Sequence, residues 1–214
     1  MGIGLKIFKK FSEKIMNDGQ VNNKIVSKTG RYIYKKMKPE FIEKFGYKLY
    51  LDSDDHLMLA NNEYTIHPIL KKIIHGGDIV IDIGANIGVL TLFFRKLVGN
   101  EGMIYSFEPN PVAFSVLKKN INENNLANIQ IEDKAVSNKN DKVSFTIDSS
   151  ITNSRISKNH KDGVLLDCVS MDEYFTENKM KKIDFVKIDT EGYDLTVLEG
   201  MTKIIQLNPE LKIM

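Results

Sequence analysis

The sequence has one cysteine, Cys168, and no tryptophan. A lone thiol excludes an intramolecular disulfide and any zinc site built on cysteines. No apolar run approaches the ~20 residues that a helix needs to cross a bilayer. The N-terminus is basic and amphipathic but lacks an apolar core followed by small residues, so it does not read as a secretory signal. Met1-Gly2 opens like a myristoylation site, yet Lys6 stands where that signal carries Ser or Thr. Internal repeats and low-complexity tracts are absent too. These absences leave a cytoplasmic protein as the expectation.

What is present is an ordinary globular composition, 42% hydrophobic and 27% charged, over 214 residues. That length suits one domain with a short appendage. The net charge of +2 is unevenly spread: residues 1–40 hold ten Lys or Arg and three Asp or Glu, which leaves the remainder acidic. Residues 1–44 read as a basic helical arm, with Leu5, Ile7, Phe8 and Phe11 in one stripe beside Lys6, Lys9, Lys10 and Lys14. Such an arm is either a solvated helical face or a surface for peripheral membrane contact or nucleic acid.

Residues 45–214 read as a doubly wound α/β domain. Tyr47 to Leu51, a turn at Asp52-Ser53-Asp54-Asp55 and His56 to Ala60 read as a hairpin. Ile66, Ile69, Leu70, Ile73 and Ile74 fall at helical spacing. Strands and helices then alternate, the mark of a mostly parallel sheet covered on both faces. Ile79-Val80-Ile81-Asp82-Ile83 is apolar almost throughout, as a buried parallel strand is. A helix around residues 87–98 follows, then a strand at residues 103–107. Asn110-Pro111 opens the next helix as cap and first residue. A third strand begins at Ile129 and is expected to run to about Val136. Residues 143–147 suggest an inserted hairpin. Ser170-Met171-Asp172-Glu173 has the pattern of a capping box. Residues 184–189 form another buried strand, and a helix at residues 193–206 would turn Leu195, Leu198 and Ile205 inward. A last strand begins at Leu211.

The central motif is Asp82-Ile83-Gly84-Ala85-Asn86-Ile87-Gly88, between a strand and a helix. Glycines there allow a tight turn and close approach to a ligand. The helix start offers unpaired N–H groups. A dinucleotide loop has the spacing G-x-G-x-x-G, which is absent. Asp82 would repel a pyrophosphate, whereas it tolerates the ammonium and sulfonium of S-adenosyl-L-methionine. Glu108, 26 residues on at the end of the next strand, can accept bonds from ribose hydroxyls, a device shared by both cofactor classes.

Three motifs in order carry a family resemblance: Asp82 to Gly88, Glu108-Pro109-Asn110-Pro111 and Lys187-Ile188-Asp189-Thr190-Glu191-Gly192. Together with Ala135-Val136-Ser137 they resemble the FkbM family of methyltransferases over residues 45–214. The resemblance implies a class I methyltransferase fold of Rossmann type using S-adenosyl-L-methionine, with hydroxyl oxygens of sugars or related metabolites as acceptors. It implies that Asp82, Gly84, Ala85, Asn86 and Gly88 line the methionine part of the cofactor. Glu108, with Pro109 and Asn110, would hold the ribose, and Asp133, Lys134 and Ala135 would border the adenine. Because the family usually continues with further sheet, C-terminal strands are expected to be missing.

Removing a hydroxyl proton calls for a base. Asp189, at a strand end facing the crevice, and Glu191, two residues on, are the candidates for catalysis. As a pair they could instead hold a divalent cation, and each also fits a capping or helix-start role. Lys187 reads as a strand residue whose amine extends to solvent. His160 reads as a loop base or a solvated side chain, Tyr64 and His67 as pocket border or core, and Cys168 as a small buried apolar residue.

Three other functions compete. A nucleic-acid methyltransferase is disfavoured because no Asn/Asp-Pro-Pro-aromatic turn follows the strand at Asp189, and because Cys168 follows Asp167 rather than proline. A non-catalytic cofactor-binding or partner-docking module and a dinucleotide oxidoreductase are the others, the last disfavoured by Asp82.

Overall fold

A computed structural model describes residues 40–51, 67–146, 155–156 and 164–214. Most of the expected N-terminal arm, the turn at residues 52–55, the strand at residues 56–60, Tyr64 and His160 lie outside the described residues. The chain divides after Ile42, and the fold concerned here is that of Glu43–Met214.

Strands β1 (Phe41–Lys44) and β2 (Tyr47–Tyr50) form a two-stranded ribbon. Helix α1 (His67–Ile73) precedes β3 (Ile79–Ile83), α2 (Val89–Val98) precedes β4 (Met103–Phe107), and α3 (Pro111–Glu123) precedes β5 (Ile129–Glu132). A second sheet holds β6 (Ala135–Ser137), β7 (Asp141–Thr146), β8 (Arg155–Ile156) and β9 (Val164–Ser170). Helix α4 (Met171–Glu177) leads to β10 (Phe185–Ile188), and α5 (Asp194–Glu199) with α6 (Thr202–Leu207) leads to β11 (Lys212–Ile213).

The central sheet is parallel throughout, in the order β11-β10-β3-β4-β5. The order reverses between β3 and β10, so the carboxyl ends of these two strands flank the switch-point crevice of a doubly wound sheet. Ile81, Ile83, Phe107 and Val186 pack on one face with Tyr174 and Phe175 of α4, Val197 of α5 and Ile204 of α6. Alternate residues face α2: Thr91 reaches Asp82 and Ser106, and Phe94 meets Phe185 edge to face. Asn110 caps α3 as its sequence requires, its Oδ1 accepting from the Val112 N–H at 3.0 Å.

Three local expectations are corrected. The third strand stops at Glu132, and after Asp133-Lys134 the chain joins the second sheet, where Ala135 faces Cys168 in β9. The Ser170 side chain does not cap α4. Its hydroxyl donates to the Gly200 carbonyl, while the Asp172 carboxylate takes the N–H groups of Lys203 and Ile204 and so caps α6. The helix expected at residues 193–206 breaks at Gly200, where a Cβ would run into the backbone carbonyl of Ser137. The break resets the phase: Val197, Met201 and Ile204 are buried, while Leu195 is 78% and Ile205 41% exposed. β2 pairs with β1, the strand before it, while the hairpin partner expected at residues 56–60 lies outside the described residues.

The ribbon is attached to α3 by two asparagines one helical turn apart. Asn120 Oδ1 accepts from the Tyr50 N–H at 2.6 Å, and Asn124 Oδ1 accepts from the Lys48 N–H at 2.9 Å. Their amide groups donate back to the carbonyls of the same residues. Two side chains thus do for β2 what a neighbouring strand would do. Asn120 is fully buried and also donates to the Ile87 carbonyl of the glycine loop at 2.8 Å. Replacing it with Leu strands a buried N–H and a buried carbonyl, each costing roughly 1–3 kcal/mol. Asn120→Leu is therefore expected to lower the urea midpoint by a loss of about 2–6 kcal/mol, and Asn124→Ala by under about 1 kcal/mol because its site meets water. Equal losses at the two positions would contradict this account.

Candidate functional site

The glycine loop leaves β3 at the switch point. Gly84 (φ 75°) and Gly88 (φ 88°) both lie in the left-handed region. Neither is explained by ligand approach alone. A Cβ on Gly84 would collide with the Asp189 carbonyl, and one on Gly88 would come within 2.6 Å of Leu117 on α3. The first glycine lets β3 and β10 end side by side; the second lets α2 pack on α3. Asn86, also left-handed at φ 51°, accepts from the Ile87 N–H through its own Oδ1. A short polar side chain tolerates that conformation through such local bonding.

Glu108 closes the loop from the next strand. Its Oε2 accepts from the Asn86 N–H at 2.7 Å and its Oε1 from the Asn110 N–H at 2.8 Å. Burial pushes its pKa up to about 7, against the pull of those two N–H groups and of Lys187. Each oxygen keeps acceptor capacity beyond the one backbone bond it makes.

Asp82 lies at the base of the glycine loop, within β3. It is fully buried. Its Oδ2 accepts from the Thr91 hydroxyl at 2.6 Å, and its Oδ1 lies 3.3 Å from Lys187 Nζ. Lys187 is the correction that matters most. It is 4% exposed, and its amine turns inward rather than to solvent. Nζ donates to the carbonyls of Gly84 at 2.6 Å and Ile83 at 3.1 Å. A strand between two parallel neighbours, covered on both faces, offers a long amine no route to water from its middle. That signal was available in the sequence, because Lys187, two residues after Phe185 in the strand, shares its face. Thr91, Ser106 and Asn120 carried no comparable signal.

The candidate catalytic acids lie beyond the end of β10. The Asp189 side chain is 68% exposed, with Oδ2 3.7 Å from Lys187 Nζ, and its backbone N–H donates to the Ile83 carbonyl. Glu191 is exposed and left-handed at φ 52°, ahead of Gly192 at 91°. No side chain caps α5; Asp194, its first residue, instead accepts through Oδ1 from both the N–H and the hydroxyl of Thr190 just before the helix. Among the described residues no three His, Cys, Asp or Glu side chains gather as a metal site.

Asp133 is exposed at the end of β5, one residue from Glu132, whose carbonyl accepts from the Glu108 N–H. Lys134 lies 4.0 Å from the Glu132 carboxylate. Ala135 is 2% exposed, so little of its side chain is open to any ligand. Beneath them Tyr174 donates to Glu132 Oε1 at 2.9 Å and accepts from Gln130. His67 joins an aromatic group, stacked on Phe93 at 4.1 Å and edge-on to Phe45, where burial first and then Lys44 and Lys71 hold its pKa down. Cys168 is buried, as expected of a small apolar residue. An open depression near it, on the second sheet, is lined by charges that already pair, Lys142 with Asp167 at 2.7 Å.

The model of the methyltransferase FkbM domain matches residues 82–211, from the aspartate of the glycine motif to the last strand. The chain belongs to the FkbM methyltransferase family. It is 28% identical over 129 residues to the hexuronic acid methyltransferase AglP of Haloferax volcanii, covering 60% of this chain and 52% of that protein. To methyltransferase 1 of Beauveria bassiana it is 22% identical over 144 residues, covering 57% of each. The chain thus spans about half the length of these two relatives. The crystal structure of methyltransferase FkbM from Methylobacillus flagellatus aligns over 76% of this chain and 44% of that one, at 14% identity and a TM-score of 0.46. No described helix of this FkbM domain is long and apolar enough to cross a membrane.

The buried Glu108 gives the domain a pH signature. A carboxyl whose folded pKa lies above its unfolded value contributes stability that is present below about pH 4.5 and is lost as pH rises through about 7. Glu108→Gln cannot ionise. The unfolding free energy of the variant relative to the parent should rise across that window, by up to about 1.4 kcal/mol per pH unit. Parallel stability curves for the two proteins would refute the assignment.

Proposed function

We propose that the domain is an S-adenosyl-L-methionine-dependent methyltransferase acting on a hydroxyl oxygen of a sugar or related metabolite. The observation that carries the reading is the meeting of the glycine loop with Glu108 beside the switch point, where the carboxyl takes the Asn86 and Asn110 N–H groups and keeps further acceptor capacity. The donor set fits this cofactor. Glu108 keeps acceptor capacity for ribose hydroxyls beyond its two backbone bonds, and the loop lacks the G-x-G-x-x-G spacing of a dinucleotide site. AglP, by its name a hexuronic acid methyltransferase, supports a carbohydrate acceptor.

When bound, S-adenosyl-L-methionine supplies a methyl carbon made electrophilic by its sulfonium. The residues of the chain bind and orient. Gly84, Ala85, Asn86 and Gly88 shape the seat, with Asp82 under it. Glu108 holds the ribose hydroxyls, with Pro109 and Asn110 fixing its strand end. Asp133, Lys134 and the backbone at Ala135 flank the base. Asp189, exposed at the crevice, accepts the proton of the acceptor hydroxyl. Glu191 lies two residues further on and orients the acceptor. A well-placed base of this kind contributes roughly 10²–10⁴-fold.

Calorimetric titration with S-adenosylhomocysteine, with NAD as control, tests the cofactor. Methyl transfer to uronic acid and neutral sugar acceptors tests the substrate class. Saturable binding of S-adenosylhomocysteine alone is expected. Glu108→Ala should weaken it at least tenfold, whereas Asp189→Asn should leave it within about twofold and slow transfer roughly 10²-fold or more. Equal binding losses in both variants would sink the division of roles. A folded sample that binds neither compound would sink the reading itself.

A further inference from the structure

We infer that Lys187 is a positioning residue that clamps the glycine loop, and so sets the cofactor's seat, from the side of β10. The inference rests on the cofactor reading above and adds a role that the reading does not assign.

The two peptide units that begin the loop are held at both ends. On one side the N–H groups of Gly84 and Ala85 both donate to the Phe107 carbonyl, each at 3.0 Å. On the other, the carbonyls of Ile83 and Gly84 both accept from Lys187 Nζ. One acceptor on β4 and one donor on β10 therefore fix the orientation of two successive peptides. An ammonium has three N–H groups. Two go to these carbonyls, and Nζ keeps Asp82 Oδ1 at 3.3 Å and Asp189 Oδ2 at 3.7 Å on its remaining side.

Asp82 serves as counter-charge in this arrangement. It lies directly across the strand pair from Lys187. It is fully buried, with Oδ2 on the Thr91 hydroxyl and Oδ1 3.3 Å from the ammonium. Asp189 is reached by the same ammonium, so the loop and the candidate base are referred to one fixed charge. Contact at Gly84, whose Cα packs on the Asp189 carbonyl, ties the two strand ends from above.

Removing Lys187 alone leaves a buried carboxylate unpaired, which can unfold the domain. The working variant is therefore Asp82→Asn with Lys187→Met, which removes both charges together. Two measurements follow on the folded variant: amide hydrogen exchange at Gly84 and Ala85 without ligand, with Ile104 in β4 as control, and affinity for S-adenosylhomocysteine. Exchange at least tenfold faster at the two loop amides, unchanged exchange at Ile104, and affinity at least tenfold weaker are expected. Unchanged loop exchange would overturn the clamp whatever the affinity does. Faster exchange with parental affinity would overturn its role in the seat. If the parent itself fails to bind S-adenosylhomocysteine, the cofactor reading falls, and loop exchange still decides whether Lys187 holds the loop.

Discussion

Lys187 buries its amine near the carboxyl end of a central strand in a sheet covered on both faces, and the geometry of the glycine loop depends on how that amine is satisfied. An isolated ammonium there would cost several kcal/mol of lost hydration. Asp82, its register partner on β3, supplies the opposite charge, and the carbonyls of Ile83 and Gly84 supply acceptors. The carbonyls available are those of the loop, because β3 ends one strand-width away. Satisfying the charge and fixing the loop are the same set of bonds.

The surrounding layer follows from this. On the face toward α2, the side chains of Asp82, Ser106 and Lys187 stand in register across three parallel strands. Thr91 from α2 contacts two of them. The opposite face carries Ile81, Ile83, Phe107 and Val186 and is packed with apolar residues from α4, α5 and α6. One face holds the polar apparatus; the other holds the core. Burying the ion pair adds little net stability compared with an apolar pair of the same shape, so the arrangement is better understood through the loop it orients than through the fold it stabilises.

Alternation of apolar strands and amphipathic helices made the doubly wound sheet legible in the sequence, and three short motifs marked its carboxyl edge. Strands β3 and β4 and the cap at Asn110 stand where periodicity put them. What periodicity could not show were events that depend on a distant partner. The expected helix at residues 193–206 breaks because Gly200 presses against Ser137, more than sixty residues earlier in the chain. Asp172 looked like part of a local capping box and caps α6 instead. Asn120 and Asn124 look like ordinary polar residues on a helix, and their role exists only because β2 lies against them. Lys187 was misread for the opposite reason: its long stem invites a route to solvent, and the strand it occupies provides none.

Two aspartates at neighbouring strand ends show how far the motifs alone carry the chemistry. Asp82 and Asp189 are the same residue type, each at or near the carboxyl end of a central strand, and Lys187 lies within 4 Å of both. Asp82 is enclosed, with its oxygens committed to a hydroxyl and an ammonium. Asp189 is 68% exposed, just past the end of β10. A proton acceptor must meet its substrate within hydrogen-bond distance, which Asp82 cannot do without breaking the core pair. The register pairs Asp82 with Lys187, so Asp189 stands two residues further along, past the end of β10. That two-residue step separates the enclosed aspartate from the exposed one proposed as base.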